Sequence, residues 1–96
     1  MIGGNCGNGP DEIRYVMSSM SENRPDGVYL IAQSNAGLPK MVDGEVKFDG
    51  TPQIMADYAV EMYRMGVNYI GACCGSTPAH IAAMKEALLA EGADLA

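Results

Sequence analysis

The sequence predicts an α/β fold of parallel βα units, and three observations support this. Helix starts recur at Pro10, Pro52 and Pro78, each ahead of an apolar stripe of helical period. Short apolar runs alternate with these helices in the order strand, helix, strand, helix, strand, helix, the signature of right-handed crossovers onto a parallel sheet. One of the runs, Val28-Tyr29-Leu30-Ile31-Ala32, is apolar throughout, as expected of a parallel-sheet strand covered on both faces.

The elements follow in chain order. Ile2-Gly3-Gly4-Asn5 reads as the tail of a strand that stops at Cys6. Pro10 suits the first helical position, and Asp11 and Glu12 suit the positive end of the helix dipole. Ile13, Val16, Met17 and Met20 fall at i, i+3, i+4 and i+7, one stripe of a helix that Asn23-Arg24-Pro25-Asp26-Gly27 terminates. The strand at Val28–Ala32 runs into the corner Gln33-Ser34-Asn35-Ala36-Gly37-Leu38-Pro39. A small hairpin turning at Asp43-Gly44 is expected within the connection that follows, which has the length of a lid or of a plain surface elaboration. Thr51-Pro52 opens the second helix, with Ile54, Met55, Tyr58, Ala59, Met62 and Met65 as its stripe and Gly66 as its stop. Val67-Asn68-Tyr69-Ile70 forms the third strand. Thr77-Pro78 opens the third helix, which carries Ile81, Met84 and Leu88 on one face and ends near Gly92. Methionine at these spacings is core packing.

Composition narrows the function classes. The chain has 96 residues, 48% hydrophobic and 19% charged, enough for a single domain. No apolar run approaches a membrane span, and Met1-Ile2 is not followed by the basic and hydrophobic regions of a signal or transit peptide, so a cytoplasmic location is the expectation. A net charge of −6 with only six scattered basic residues argues against a nucleic-acid partner. Three cysteines, two of them adjacent, fit metal or thiol chemistry in a reduced compartment better than a structural disulfide.

The topology gives those cysteines a place. All strands of a parallel sheet end on one edge, where α/β proteins build their sites, and Cys6, Asn35 and Cys73-Cys74 each follow a strand end. With the first and third strands flanking the second, their ends lie roughly 10 Å apart, and loops over a curved sheet close that gap. Three thiolates without a fourth protein ligand suit a zinc ion with a position open for substrate. His80 is a conceivable fourth ligand, but its place in the first turn of a helix favours capping and packing. Three small buried hydrophobes are the plain alternative for the cysteines, disfavoured by the glycines around them.

Gly4-Asn5-Cys6, Asn35-Ala36-Gly37-Leu38-Pro39 and Gly71-Ala72-Cys73-Cys74-Gly75-Ser76-Thr77-Pro78-Ala79-His80-Ile81 resemble, in order and spacing, three motifs of the homocysteine S-methyltransferase family. Ala72 stands where that family usually has a second glycine, and Ser76 where threonine is usual. The resemblance implies that residues 1–96 form a single partial domain, the last three βα units of a (β/α)8 TIM barrel. A complete barrel needs on the order of 250 residues. The resemblance also implies a zinc held by Cys6, Cys73 and Cys74, Asn35 near bound substrate, and homocysteine as the thiol methylated to methionine. The donors it spans are corrinoids, folates, betaines and sulfoniums. The alternative expectation is an inactive barrel remnant serving as a zinc-binding or oligomerising module, through self-association or a partner chain that supplies the missing strands.

Overall fold

The computed structural model describes residues 1–6, 9–37 and 39–93, with the side chains of Cys6, Pro39, Lys40 and Val42 excepted. Its elements are β1 (Ile2–Cys6), α1 (Pro10–Glu22), β2 (Leu30–Ser34), β3 (Pro39–Val42), β4 (Glu45–Phe48), α2 (Pro52–Arg64), β5 (Tyr69–Ala72) and α3 (Pro78–Ala90). Strands β1, β2 and β5 form a parallel sheet in that order, with β2 in the middle. The register places Cys6 opposite Ser34 and Ser34 opposite Ala72, so the three strand ends lie in one row. The parallel strands alternate with helices, as expected. The expected hairpin is present as β3 and β4, which pair antiparallel about Asp43 and Gly44. Both turn residues have positive φ, 52° and 81°, the twist that a two-residue hairpin loop requires.

Helix boundaries follow local chemistry. Each helix has proline in its first turn, and the Thr51 side chain accepts the Ile54 N–H at 3.2 Å to open α2. The ends of α2 and α3 share one design. Gly66 N–H bonds Tyr63 C=O while Val67 N–H bonds Met62 C=O, and Gly92 and Ala93 repeat the pattern on Leu89 and Leu88. This double bond pattern is the Schellman motif, and the positive φ of Gly66, 89°, is what lets the chain make it.

That motif explains one departure from the expected boundaries. The third strand was expected at Val67–Ile70 but spans Tyr69–Ala72, because Val67 and its backbone N–H are taken up in closing α2. The second strand likewise lies two residues later than expected, at Leu30–Ser34. Val28 N–H is held in a turn by Pro25 C=O, while Gln33 and Ser34 pair with both neighbouring strands. Polar side chains do not stop a strand that has partners on both sides.

The core lies on one face of the sheet. Leu30, Ala32 and Ser34 of β2 are fully buried, and the first two join one core cluster with Met17 of α1, Met55, Tyr58 and Met62 of α2, and Met84 and Leu88 of α3. Each of the larger apolar side chains contributes on the order of 1.5–3 kcal/mol by leaving water. The expectation of a strand covered on both faces is corrected here. Tyr29 and Tyr69 are 54% and 49% exposed, stacked edge to face with ring centroids 6.3 Å apart, and Gln33 is exposed on the same side. Residues on that side of the apolar run therefore meet solvent where those on the core side do not. Ile54 and Ile81, expected in the helix stripes, are also exposed, because each lies at the margin of its helix's buried face.

Candidate functional site

The candidate site lies along the row of strand ends. Cys6 is the last residue of β1, Asn35 follows β2 at once, and Cys73 and Cys74 follow β5 at once. The side chain of Cys6 lies outside the described residues, as does Leu38. Three hydrogen bonds dock the cysteine pair against the end of β2. Cys73 N–H donates to Ser34 C=O at 2.8 Å, Ala36 N–H donates to Cys74 C=O at 2.9 Å, and Cys74 N–H donates to the Asn35 side-chain Oδ1 at 3.1 Å. The first two continue the sheet ladder beyond β5. The third is the only one of the three made by a side chain, and Asn35 is 8% exposed.

The turn then closes on itself. Ser76 N–H donates to Cys73 C=O at 3.2 Å, and Gly75 adopts φ 82°. A side chain at Gly75 would meet the ring of Phe48 in addition to the strain of positive φ. Phe48 ends the hairpin connection, so that connection leans on the cysteine turn. The Ser76 hydroxyl is buried and has no hydrogen-bond partner among the described residues.

His80 fastens the same region from behind. Its Nδ1 accepts the Thr77 backbone N–H at 3.1 Å, the return half of a capping box, and so must be unprotonated. Nε2 therefore carries the hydrogen and donates to Gly50 C=O at 2.8 Å. Gly50 N–H in turn donates to Ala36 C=O at 2.7 Å, and Ala36 holds Cys74. Capping and packing, the role that its sequence position favours, is the role His80 has. Its link to residue 50 was not legible in the sequence, because the partner is a backbone carbonyl thirty residues away.

Tyr58 is a second residue whose position near the site the sequence did not reveal. It is fully buried on α2, and its hydroxyl donates to Gly71 C=O at 3.3 Å, two residues before Cys73. Burial pushes its pKa up to about 12, outweighing a backbone contact from Ser34 that acts the other way.

The sulfur geometry bears on metal binding. Two ligands of one tetrahedral zinc, each with a Zn–S bond near 2.3 Å, stand about 3.8 Å apart. The Sγ atoms of Cys73 and Cys74 are 4.0 Å apart. The pair's donor type and spacing fit a shared metal. Cys74 is a free, exposed thiol, but Cys73 is disulfide-bonded, which corrects the expectation that the cysteines stay out of disulfides; a metal at this pair requires the reduced chain. Among the described residues no group of three His, Cys, Asp or Glu side chains gathers, the Cys6 side chain standing outside them. No described helix is long and apolar enough to cross a membrane.

The model of the homocysteine S-methyltransferase family matches residues 1–88, which include all three cysteines, Asn35 and His80.

Proposed function

Because the chain belongs to the homocysteine S-methyltransferase family, we propose that it forms the thiol-activating part of a zinc-dependent methyltransferase that converts homocysteine to methionine. The observation that carries this reading is the cysteine pair, with adjacent sulfurs 4.0 Å apart at the end of a parallel strand and Cys6 at the end of another strand in the same row. In this reading Cys6, Cys73 and Cys74 hold the zinc as thiolates, and Asn35 stands at the rim beside the substrate. Zinc, when bound, lowers the pKa of a substrate thiol so that it reacts as the thiolate at neutral pH. The chain's own part is to fix the direction of the cysteine sulfurs through the ladder from Ser34 and Ala36, and to deliver three anionic donors that keep the site soft and electron-rich.

We read the fold as the last three units of a (β/α)8 barrel. Among the described residues β1 and β5 each pair on one side alone, and the face bearing Tyr29 and Tyr69 is partly exposed. The remaining strands, from the same protein or another chain, would extend those edges and cover that face. Donor-binding residues would then come largely from those strands. The same open face is what supports the second reading, an associating zinc module without activity.

The test is zinc X-ray absorption on the reduced, zinc-loaded chain with and without homocysteine. The expected result is three sulfur scatterers at about 2.3 Å rising to four when homocysteine is added. A sulfur count that does not change would refute thiol activation by this chain and favour the inactive module.

A further inference from the structure

The Asn35 side chain faces the cysteine pair and makes a bond that a rim contact with substrate would not require. Its Oδ1 accepts the Cys74 backbone N–H at 3.1 Å, while Cys74 C=O is held by Ala36 N–H at 2.9 Å. Both backbone groups of Cys74 are therefore tied to residues 35 and 36. Cys73, by contrast, is tied through its N–H to Ser34 C=O at 2.8 Å. The first tie on Cys74 is the one that a change of side chain can cut. Because Asn35 is nearly buried, a substituted site could not readily replace its oxygen with water.

We propose that Asn35 is a positioning residue, whose amide oxygen fixes the peptide of Cys74 and so aims its Sγ alongside that of Cys73 toward a common metal. The proposal rests on the reading that the cysteine pair holds a metal, and it assigns Asn35 a task beyond that of a neighbour of the substrate. The Cys73–Cys74 peptide leaves β5 through a tight turn, and rotation about it would move Sγ of Cys74 off the 4.0 Å spacing without altering the fold elsewhere. Ser34 and Ala36 act through backbone groups present in any sequence. Asn35 is where the sequence selects the geometry.

Two substitutions separate an acceptor role from a donor role. Asn35→Asp keeps an oxygen for Cys74 N–H and loses the amide donor, whereas Asn35→Leu keeps the volume and loses the acceptor. In the reduced chain two quantities are read: hydrogen exchange of the Cys74 amide by NMR before metal is added, and Co(II) affinity and its thiolate-to-cobalt absorption on titration. The expected result for Asn35→Leu is Cys74 exchange about tenfold faster and Co(II) affinity about tenfold weaker, with a shifted ligand-field band. Asn35→Asp stays within about twofold of the parent in both. Unchanged Cys74 exchange in Asn35→Leu would overturn the clamp. Faster exchange with unchanged Co(II) affinity and absorption would overturn its role in aiming the sulfur while leaving the metal reading intact. Should Asn35→Leu fail to fold, Asn35→Asp decides alone, since a tenfold loss of Co(II) affinity with the acceptor retained contradicts the proposal. A parent chain that takes up no Co(II) overturns the metal reading, and the aiming role with it. That failure is seen before any variant is made.

Discussion

Tyr58→Phe should make the chain less stable near neutral pH and more stable in strong alkali. Tyr58 is the fully buried member of five tyrosines, so its ionisation in the folded state places a charge in the core. Its folded pKa is pushed up to about 12, against an ordinary value near 10 in the unfolded chain. A group whose pKa is raised by folding contributes its stability below the unfolded value and loses it as pH climbs through the folded one. Two pK units correspond to roughly 2.7 kcal/mol, lost between about pH 10 and pH 12. The phenylalanine variant has nothing to ionise there. At pH 8 it lacks the bond to Gly71 C=O, which at 3.3 Å is long and worth about 0.5–1 kcal/mol. The stability curves of the two proteins should therefore cross between about pH 10 and pH 12, with the variant ahead by on the order of 2 kcal/mol at the upper end. Urea midpoints measured across that range on the same buffers give the comparison directly, since the exposed tyrosines, lysines and arginines are common to both. Parallel curves with no crossing would refute the argument that Tyr58 is buried neutral beneath the strand leading to the cysteines.

Gly75→Ala should cost about 1–3 kcal/mol in urea unfolding, because the residue holds positive φ and its missing Cβ makes room for Phe48. Removing the ring as well, in Gly75→Ala with Phe48→Ala, should recover part of that loss relative to the sum of the single changes. His80→Phe should lower stability by roughly 1–3 kcal/mol, since it leaves the buried Gly50 C=O without its partner and removes the part-buried bond to the Thr77 N–H. Thermal unfolding checks this.

The fold was legible in the sequence to the extent that local chemistry sets it. Prolines 10, 52 and 78 mark the first turns of the three helices, and Asp43-Gly44 marks the hairpin. Strand boundaries were less legible. Val67 has the apolarity of a strand residue but closes the preceding helix, and Gln33 and Ser34 look like a corner but lie in the sheet because both neighbours pair with them. Apolarity also implied more coverage than the chain provides. Tyr29 and Ile31 read as buried, yet Tyr29 is half exposed beside Tyr69 and Ile31 is only partly covered.

For the site, the row of Cys6, Asn35 and Cys73-Cys74 at the strand ends follows from strand order alone, and the sheet order bears it out. The supports around that row do not follow from sequence. Asn35 contacts Cys74, His80 contacts Gly50, and Tyr58 contacts Gly71 by joining a side chain to a backbone group distant in the chain. No residue-type pattern encodes a backbone partner, so such ties emerge only when the helices are laid on the sheet.

The central claim, that the strand ends of this chain bring three cysteines to one zinc, is tested most directly by elemental analysis of the purified, reduced chain beside its Cys6→Ser and Cys73→Ser variants. The account predicts one zinc per chain, with affinity lowered sharply in both variants, since each removes a thiolate from the same ion. Zinc bound with unchanged stoichiometry and affinity in Cys6→Ser would contradict it, because the strand at the other side of the sheet would then supply no ligand.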